Sequence, residues 1–353
     1  MEGAFVKRCK RCILPYSYPG ITFDKRGICS FCVNYMKPNS EPKTEELRRL
    51  VKEAKLSKKR YQAIVPISGG KDSSYVVYVM RRVYGLRVLA INFDNGFRSA
   101  TAEVNLKILT DQLGVDYISI KPNWNLMRDL YATFVKITGE FCSVCNAMGY
   151  LTIMSFIIKH VSESVPKPLV VGGWARHLEA MPGMYSFDLK YFCDVIAQGG
   201  LLEAVRESEL VNELCLDALI NAQDPRQDRI DETFPLRYIM LPDFIHWDLR
   251  QITRTLKKEL GWISAPEAEN ETHFDCVMYP VAQYFERQKY GFSQNIVTYS
   301  ALVREGQLSR PEAIKNNRKE KKGVPLEFSR FLNILGLKIT DVNWEGKWHP
   351  QRQ

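Results

Sequence analysis

The sequence predicts an α/β protein: a parallel sheet with helices on both faces, a small cysteine-rich module before it and a mainly helical extension after it. Three observations carry this expectation. Between Tyr61 and Gly173, short apolar, β-branched runs alternate with longer helix-like stretches, the pattern of strands buried on both sides by crossover helices. Residues 1–38 are rich in Cys, Gly and Pro. Beyond residue 180 the strand signal weakens and helix-like segments take over.

The elements follow in order. After the N-terminal module, Pro38-Asn39-Ser40-Glu41-Pro42-Lys43 reads as a linker. Thr44 is placed to cap a helix over 45–55, with Glu45 and Glu46 in the first turn, where the helix dipole favours anions. Residues 63–67 form a short apolar strand, and a helix is expected over 75–83. A second strand covers 87–93, and a helix over 102–113 is closed by Gly114. A third strand covers 116–120 and a helix 145–161, and Leu169-Val170-Val171-Gly172-Gly173 reads as another strand followed by a Gly turn. Further helices are expected over 203–222, 247–260, 280–288 and 294–305. The chain thus divides into a zinc-ribbon-like module (1–38), a sheet domain (44–200) and a helical region (201–353) packed on it.

An apolar fraction of 45% is enough to fill a sizeable core. No apolar run reaches the ~18 residues of a membrane span, and the N-terminus lacks a signal peptide's apolar core, so a cytoplasmic protein without membrane insertion is expected. A formal charge of +9 suits nucleic acid, an anionic surface or phosphorylated small molecules alike, and does not choose among them. Part of it is concentrated at 315–322, with five cations against one anion.

Ser68-Gly69-Gly70-Lys71-Asp72-Ser73 stands between an apolar strand and a helix. Two glycines allow a sharp turn and a close backbone approach to a ligand. The N–H groups of the turn and helix start then converge where the helix dipole also favours an anion. Ser68 and Ser73 add hydroxyl donors and Lys71 a positive charge. Asp72 would oppose a bare phosphate, but suits a Mg²⁺ ion bridging phosphates. The string is not the Walker-type loop, which needs a different glycine spacing. It resembles the signature of the PP-loop ATP-pyrophosphatases, which include ammonia-dependent synthetases and tRNA-modifying enzymes. The resemblance implies a five-stranded parallel sheet and cleavage of ATP between the α- and β-phosphates, with Lys71, Asp72 and Ser73 catalytic and the loop holding the departing pyrophosphate. It also makes Asp94, at the second strand end, and Gly172, after a later strand, candidates for nucleotide contact. Asp94-Asn95-Gly96 reads equally as an ordinary turn. Glu179 is a weaker metal-ligand candidate, and His177 reads as a plain polar residue.

Nine cysteines, four of them in the first 32 residues, point to metal or catalysis rather than disulfides in such a protein. Cys9-x-x-Cys12 and Cys29-x-x-Cys32 have the spacing of two knuckles that wrap four thiolates around one Zn²⁺. Gly20 and Gly27 permit the ribbon's turns, and a module this small needs the metal to fold. All four positions being filled, that zinc is structural. Cys142-x-x-Cys145 and the distant Cys276 resemble the set with which certain PP-loop thiolases hold an iron–sulfur cluster; a second zinc, completed by His273 or Asp275, and unliganded cysteines are the alternatives. Cys193 and Cys215 read as core residues.

The N-terminal string from Cys9-Lys10-Arg11-Cys12-Ile13-Leu14-Pro15 to Gly27-Ile28-Cys29-Ser30-Phe31-Cys32, with the loop at 68–73 and Phe141-Cys142-Ser143-Val144-Cys145, resembles the N-acetyl sugar amidotransferases of bacterial surface-polysaccharide and lipopolysaccharide biosynthesis. The resemblance runs to about Tyr299. It implies conversion of an acetamido group on a nucleotide-linked sugar to an acetamidino group, using ATP. It also implies ammonia from a separate glutaminase subunit, with a histidine-biosynthesis synthase-like partner; no glutaminase Cys-His arrangement is recognisable in the chain. Two rivals stand beside this reading: a PP-loop tRNA thiolase, and a zinc-ribbon nucleic-acid adaptor with a silent ATP site. The intact Lys71, Asp72 and Ser73 argue against the adaptor, and nucleic acid is the less expected partner.

Overall fold

A computed structural model describes residues 7–35, 43–160, 168–174, 189–213, 216–217, 237–264, 274–320 and 323–344. Five strands, β1 (Ala63–Pro66), β2 (Val88–Phe93), β3 (Asp116–Ile120), β4 (Leu169–Gly172) and β5 (Arg237–Met240), form one parallel sheet in the order β3-β2-β1-β4-β5. The central strand β1 pairs Ala63 with Val88 on one side and Leu169 on the other. The connection from β1 runs toward β2 and the chain later returns to β4. The C-terminal end of β1 is therefore the switch point where open α/β sheets bind ligands.

The helices are α1 (Ser30–Val33), α2 (Thr44–Lys55), α3 (Lys71–Tyr78, running on as a π-turn over Val79–Val83), α4 (Ala100–Leu113), α5 (Trp124–Thr138) and α6 (Cys142–His160). They continue with α7 (Leu189–Gln198), α8 (Leu202–Arg206), α9 (Leu249–Leu260), α10 (Tyr279–Tyr290), α11 (Gln294–Glu305), α12 (Arg310–Lys319) and α13 (Glu327–Leu335).

Period-two alternation divides the strand side chains between two cores. Ile64, Leu89, Ile91 and Val170 face α5, α6, α7, α10 and α13. Ala63, Val65, Val88, Ala90, Leu169 and Val171 face α2, α3, α4 and α9. Both faces are covered, as the apolar strands require. The α6 helix is apolar almost all round and long enough by composition to cross a membrane, yet 61% of that stretch is buried inside the fold. It is the central helix of the first core, and Cys193 of α7 joins the same core. Cys215 lies outside the described residues, as do His177, Glu179 and His273.

Several elements differ from the sequence reading: α7, α12 and α13 were not expected, and the helix expected over 203–222 stops at Arg206 and breaks over 207–212, where the chain turns. Thr44 is the first residue of α2 rather than its cap; Lys43 holds the cap position, and the Thr44 hydroxyl donates to the Phe244 carbonyl at 3.4 Å. α5 was not anticipated, although Met127, Leu130, Tyr131, Phe134, Val135 and Thr138 make one buried stripe and Asn123 caps its start. β5 arises inside the region read as helical, because Arg237-Tyr238-Ile239-Met240 completes the sheet against β4.

The N-terminal module rests on the C-terminal helices. Ile13, Leu14 and Tyr18 pack with Phe292, with Ile296, Val297 and Tyr299 of α11, and with Ala313 of α12. The Arg310 guanidinium donates to the carbonyls of Cys12 (3.0 Å) and Cys9 (3.2 Å). At the other end of the chain, α13 drives Phe331 into the first core, 4.4 Å from the ring of Phe141. Phe331→Ala should cost about 3–5 kcal/mol, as loss of a fully buried ring does. Denaturant unfolding will measure it, and a cost near zero would show that α13 is not part of this core.

Candidate nucleotide site and cysteine centres

The Ser68–Ser73 loop leaves the end of β1 and enters α3 at the switch point, with Gly70 as the helix cap in extended conformation. Gly69 has φ +86°, and a Cβ there would stand 2.5 Å from the carbonyl oxygen of Ala102 in α4, so both conformation and space demand glycine. The Gly69 carbonyl is turned away from the ligand side by Trp262 Nε1 (3.3 Å) and Asn105 Nδ2 (3.4 Å). Asn105 is itself locked by two bonds to the Ile263 backbone. The Ser73 hydroxyl accepts from the Ser68 amide (3.2 Å) and the Ser68 hydroxyl accepts from the Gly70 amide (3.3 Å), closing the loop upon itself.

Lys71 is buried, and its Nζ lies 2.7 Å from Asp72 Oδ2. The other Asp72 oxygen accepts from Trp247 Nε1 at 3.3 Å. The loop thus holds a cation and a carboxylate in contact, ready to exchange partners when an anion and its counter-ion arrive. Gly173, beyond β4, packs against the first turn of α3: a Cβ there would meet the Asp72 backbone at 3.0 Å. Gly172 is enclosed by Met240 Sδ and Tyr238 Oη, each 2.8 Å from where a Cβ would be, so it lets β5 close in.

Asp94 ends β2 and shapes its own turn. Its Oδ1 accepts from the Gly96 amide (3.0 Å), and its Oδ2 faces Arg98 (3.8 Å) and Lys121 (3.9 Å). Arg98 in turn bonds Asn92, Ser119 and Glu103.

The loop after β2 also gathers the second cysteine set. Arg98 and Cys276 form an antiparallel bridge, with the Val277 amide donating to Phe97 (2.9 Å) and the Ser99 amide to Asp275 (2.9 Å). This brings Cys276 to Cys142 and Cys145, which sit one turn apart at the start of α6. Cys145 Sγ lies 3.1 Å from Tyr131 Oη and accepts from Asn95 Nδ2 at 3.5 Å. Burial pushes the Cys145 thiol up to about 11 against the pull of those two bonds. Burial, then the charge of Cys145, raises Cys142 and Cys276 as well.

The first cysteine set is tighter. Cys9, Cys12, Cys29 and Cys32 are fully buried, and their sulfurs all lie within 4.8 Å of one another. Cys9 and Cys32 are 3.9 Å apart, Cys12 and Cys29 3.8 Å. A tetrahedron of sulfurs at the Zn–S distance has edges of about 3.8 Å. The amides of Arg11 and Cys29 point at Cys9 Sγ, and that of Leu14 at Cys12 Sγ, as donors to thiolate. Hydrogen bonding, chiefly with Cys12, pulls the Cys9 thiol down; with Cys29, it pulls Cys12 down to about 7. Cys29 and Cys32 are pushed up by their bonds to Cys12, so four thiolates together need a cation. The set can hold a metal ion. Among the described residues, the second set is not drawn together this closely, which separates it from a compact tetrahedral site.

Of Trp247, Trp262, Asn105, Tyr131 and Asn95, all but one carried no signal in the sequence, because each acts on a residue distant in the chain. The exception is Asn95, which lies in the Asp94-Asn95-Gly96 turn already singled out.

Fold and site together define a parallel α/β protein with a phosphate-type loop at its switch point and a four-cysteine module docked on its C-terminal helices. Comparison with known proteins adds three findings. Residues 269–343 match a family described as LPS biosynthesis protein WbpG-like, C-terminal domain. An uncharacterized protein of Methanocaldococcus jannaschii is 24% identical over 321 residues, covering 90% of this chain and 95% of its own. Among solved structures, a U34-tRNA thiolase from Methanococcus maripaludis with its 4Fe–4S cluster aligns at TM-score 0.34 and 13% identity over 90% of each chain. An NH3-dependent NAD synthetase from Campylobacter jejuni aligns at TM-score 0.29 and 17% identity, over 50% of this chain and 90% of its own.

Gly69→Ala is expected to strain the loop by about 1–3 kcal/mol and to displace α4 or the loop. Thermal unfolding should show the loss, and a variant as stable as the parent would mean that the left-handed turn is not required.

Proposed function

We infer that the chain is an AMP-forming, ATP-dependent amidotransferase. It converts the N-acetyl group of a nucleotide-linked sugar to an acetamidino group for lipopolysaccharide or surface-polysaccharide synthesis. The observation that carries the ATP chemistry is the Ser68–Ser73 loop at the switch point, with Lys71 and Asp72 in contact. The direction toward a surface polysaccharide is supported by the match of residues 269–343.

The chemistry balances. The amide oxygen attacks the α-phosphorus of ATP, and the bond to the β-phosphate oxygen breaks, giving an O-adenylyl imidate and pyrophosphate. Ammonia adds to the imidate carbon, AMP leaves with the former amide oxygen, and an amidine remains after loss of a proton. The loop amides, the Ser68 and Ser73 hydroxyls and Lys71 stabilise charge on the departing pyrophosphate, with Lys71 trading Asp72 for phosphate oxygens. Mg²⁺, when bound, neutralises phosphate charge, and Asp72 is the loop carboxylate suited to hold it. Ammonia would come from a separate glutaminase, with a synthase-like subunit as a further partner. Zinc in the four-cysteine module would be structural, since protein sulfurs fill all four positions.

One observation favours a second reading. The convergence of Cys142, Cys145 and Cys276 beside the β2 loop suits an iron–sulfur centre delivering sulfur to tRNA.

Incubation with ATP, Mg²⁺, ammonium and UDP-linked N-acetyl sugars should yield AMP and a sugar lighter by about 1 Da, as when NH replaces O on an activated amide. Mass spectrometry reads both. No sugar-dependent AMP, even with a glutaminase partner present, would sink this reading, and sulfur incorporation into tRNA would establish the second.

Zinc removal offers a separate check. Cys29→Ser should lower bound zinc, measured by elemental analysis, and expose Ile13, Leu14 and Tyr18 to limited proteolysis of the module. Full zinc content in that variant would place the metal elsewhere.

A further inference from the structure

We propose that Asp275 is a second carboxylate of the nucleotide site, holding the divalent cation that accompanies ATP, and that it ties this site to the three-cysteine centre. The inference rests on the reading of the Ser68–Ser73 loop as an ATP site.

Asp275 comes from the C-terminal region, far from the loop in sequence. Its Oδ2 lies 3.3 Å from where a Cβ on Gly70 would stand, so the bare glycine leaves the carboxylate its place against the loop. The backbone holds it there. The Ser99 amide donates to the Asp275 carbonyl at 2.9 Å, the Val277 amide to Phe97 at 2.9 Å, and Cys276 bridges to Arg98. The placement is therefore set by an antiparallel pairing with the β2 loop.

The carboxylate itself is half-buried, and among the described residues it accepts no hydrogen bond and has no ion-pair partner. The neighbouring cations are engaged elsewhere: Lys71 with Asp72, and Arg98 with Asn92, Ser119 and Glu103. An uncompensated carboxylate beside a loop built for phosphate would repel the ligand. A divalent cation between the two reverses the sign of that interaction. Mg²⁺ takes one or two carboxylates together with phosphate oxygens, and Asp72 and Asp275 are two carboxylates that stand at this loop.

The adjacent residue serves the other centre. Asp275 abuts the loop at Gly70, and Cys276 packs on the same core as Cys142 and Cys145. Two neighbouring residues thus join the two sites through one short strand-like bridge.

The test is Mg²⁺-dependent ATP binding, measured by calorimetry at several Mg²⁺ concentrations on the full chain and on Asp275→Asn and Asp275→Glu. Wild-type protein should bind ATP more tightly as Mg²⁺ rises. Asp275→Asn should need about tenfold or more Mg²⁺ for the same gain. Its Mg²⁺-free ATP binding should be equal or tighter, since a like charge has been removed. Asp275→Glu, which keeps the charge, should recover part of the wild-type Mg²⁺ response. Circular dichroism verifies the fold of each variant, whose backbone bonds at 275 are retained. An unchanged Mg²⁺ demand in Asp275→Asn overturns the proposal while leaving the ATP reading intact. Wild-type protein that binds no ATP at any Mg²⁺ concentration overturns both.

Discussion

A single backbone constraint organises the site: Gly69 must turn left-handed where α4 leaves no room for a side chain. With its φ at +86° and Ala102 pressed against it, the loop has one way to pass from β1 into α3. Its carbonyl is then captured by Asn105 and Trp262, so the amides that follow are left for a ligand. A peptide turned the other way would point an oxygen to the side where the loop amides now lie open. The position of α4, its Asn105 and the segment carrying Trp262 all serve this one peptide orientation.

The C-terminal half therefore contributes to the surroundings of the Ser68–Ser73 loop. Trp247 reaches Asp72, Trp262 reaches Gly69, Asp275 abuts Gly70, and β5 completes the sheet beside β4. Two aromatic cores, one on each sheet face, hold these segments in register with the loop. A third core docks the cysteine module on α11 and α12, where Arg310 grips the carbonyls of the first knuckle. The module's sulfurs are saturated by one another, which suits a structural role.

The two cysteine centres differ for electrostatic reasons. In the module, backbone amides point at the sulfurs of Cys9 and Cys12, whose thiols are pulled down while those of Cys29 and Cys32 are pushed up, and the Cys9–Cys32 and Cys12–Cys29 sulfur spacings match a tetrahedron. In the second centre, burial dominates and raises all three thiols. That contrast separates a preformed structural set from a set whose state depends on what it binds.

Local pattern made much of this legible in the sequence. The β3 strand over 116–120, the helix over 294–305, the phosphate-type loop and the four-cysteine spacing all depend on residues close along the chain, where period and turn chemistry act directly. Cys276 could be paired with Cys142 and Cys145 by resemblance, but not by spacing. β5 and α5 escaped, the first because four residues make a strand by pairing with β4, the second because its stripe was not read. Thr44 shows the same limit, since its hydroxyl found a tertiary carbonyl in place of the helix end. What the sequence determined alone was the chemistry on offer: glycines for a tight turn, a lysine and carboxylate beside it, and thiols in pairs. What only the tertiary structure decided was which distant groups complete that chemistry. Trp247, Trp262 and Asn105 are brought in by packing on one sheet face and Asp275 by pairing with the β2 loop, and both rest on contacts that no local window contains.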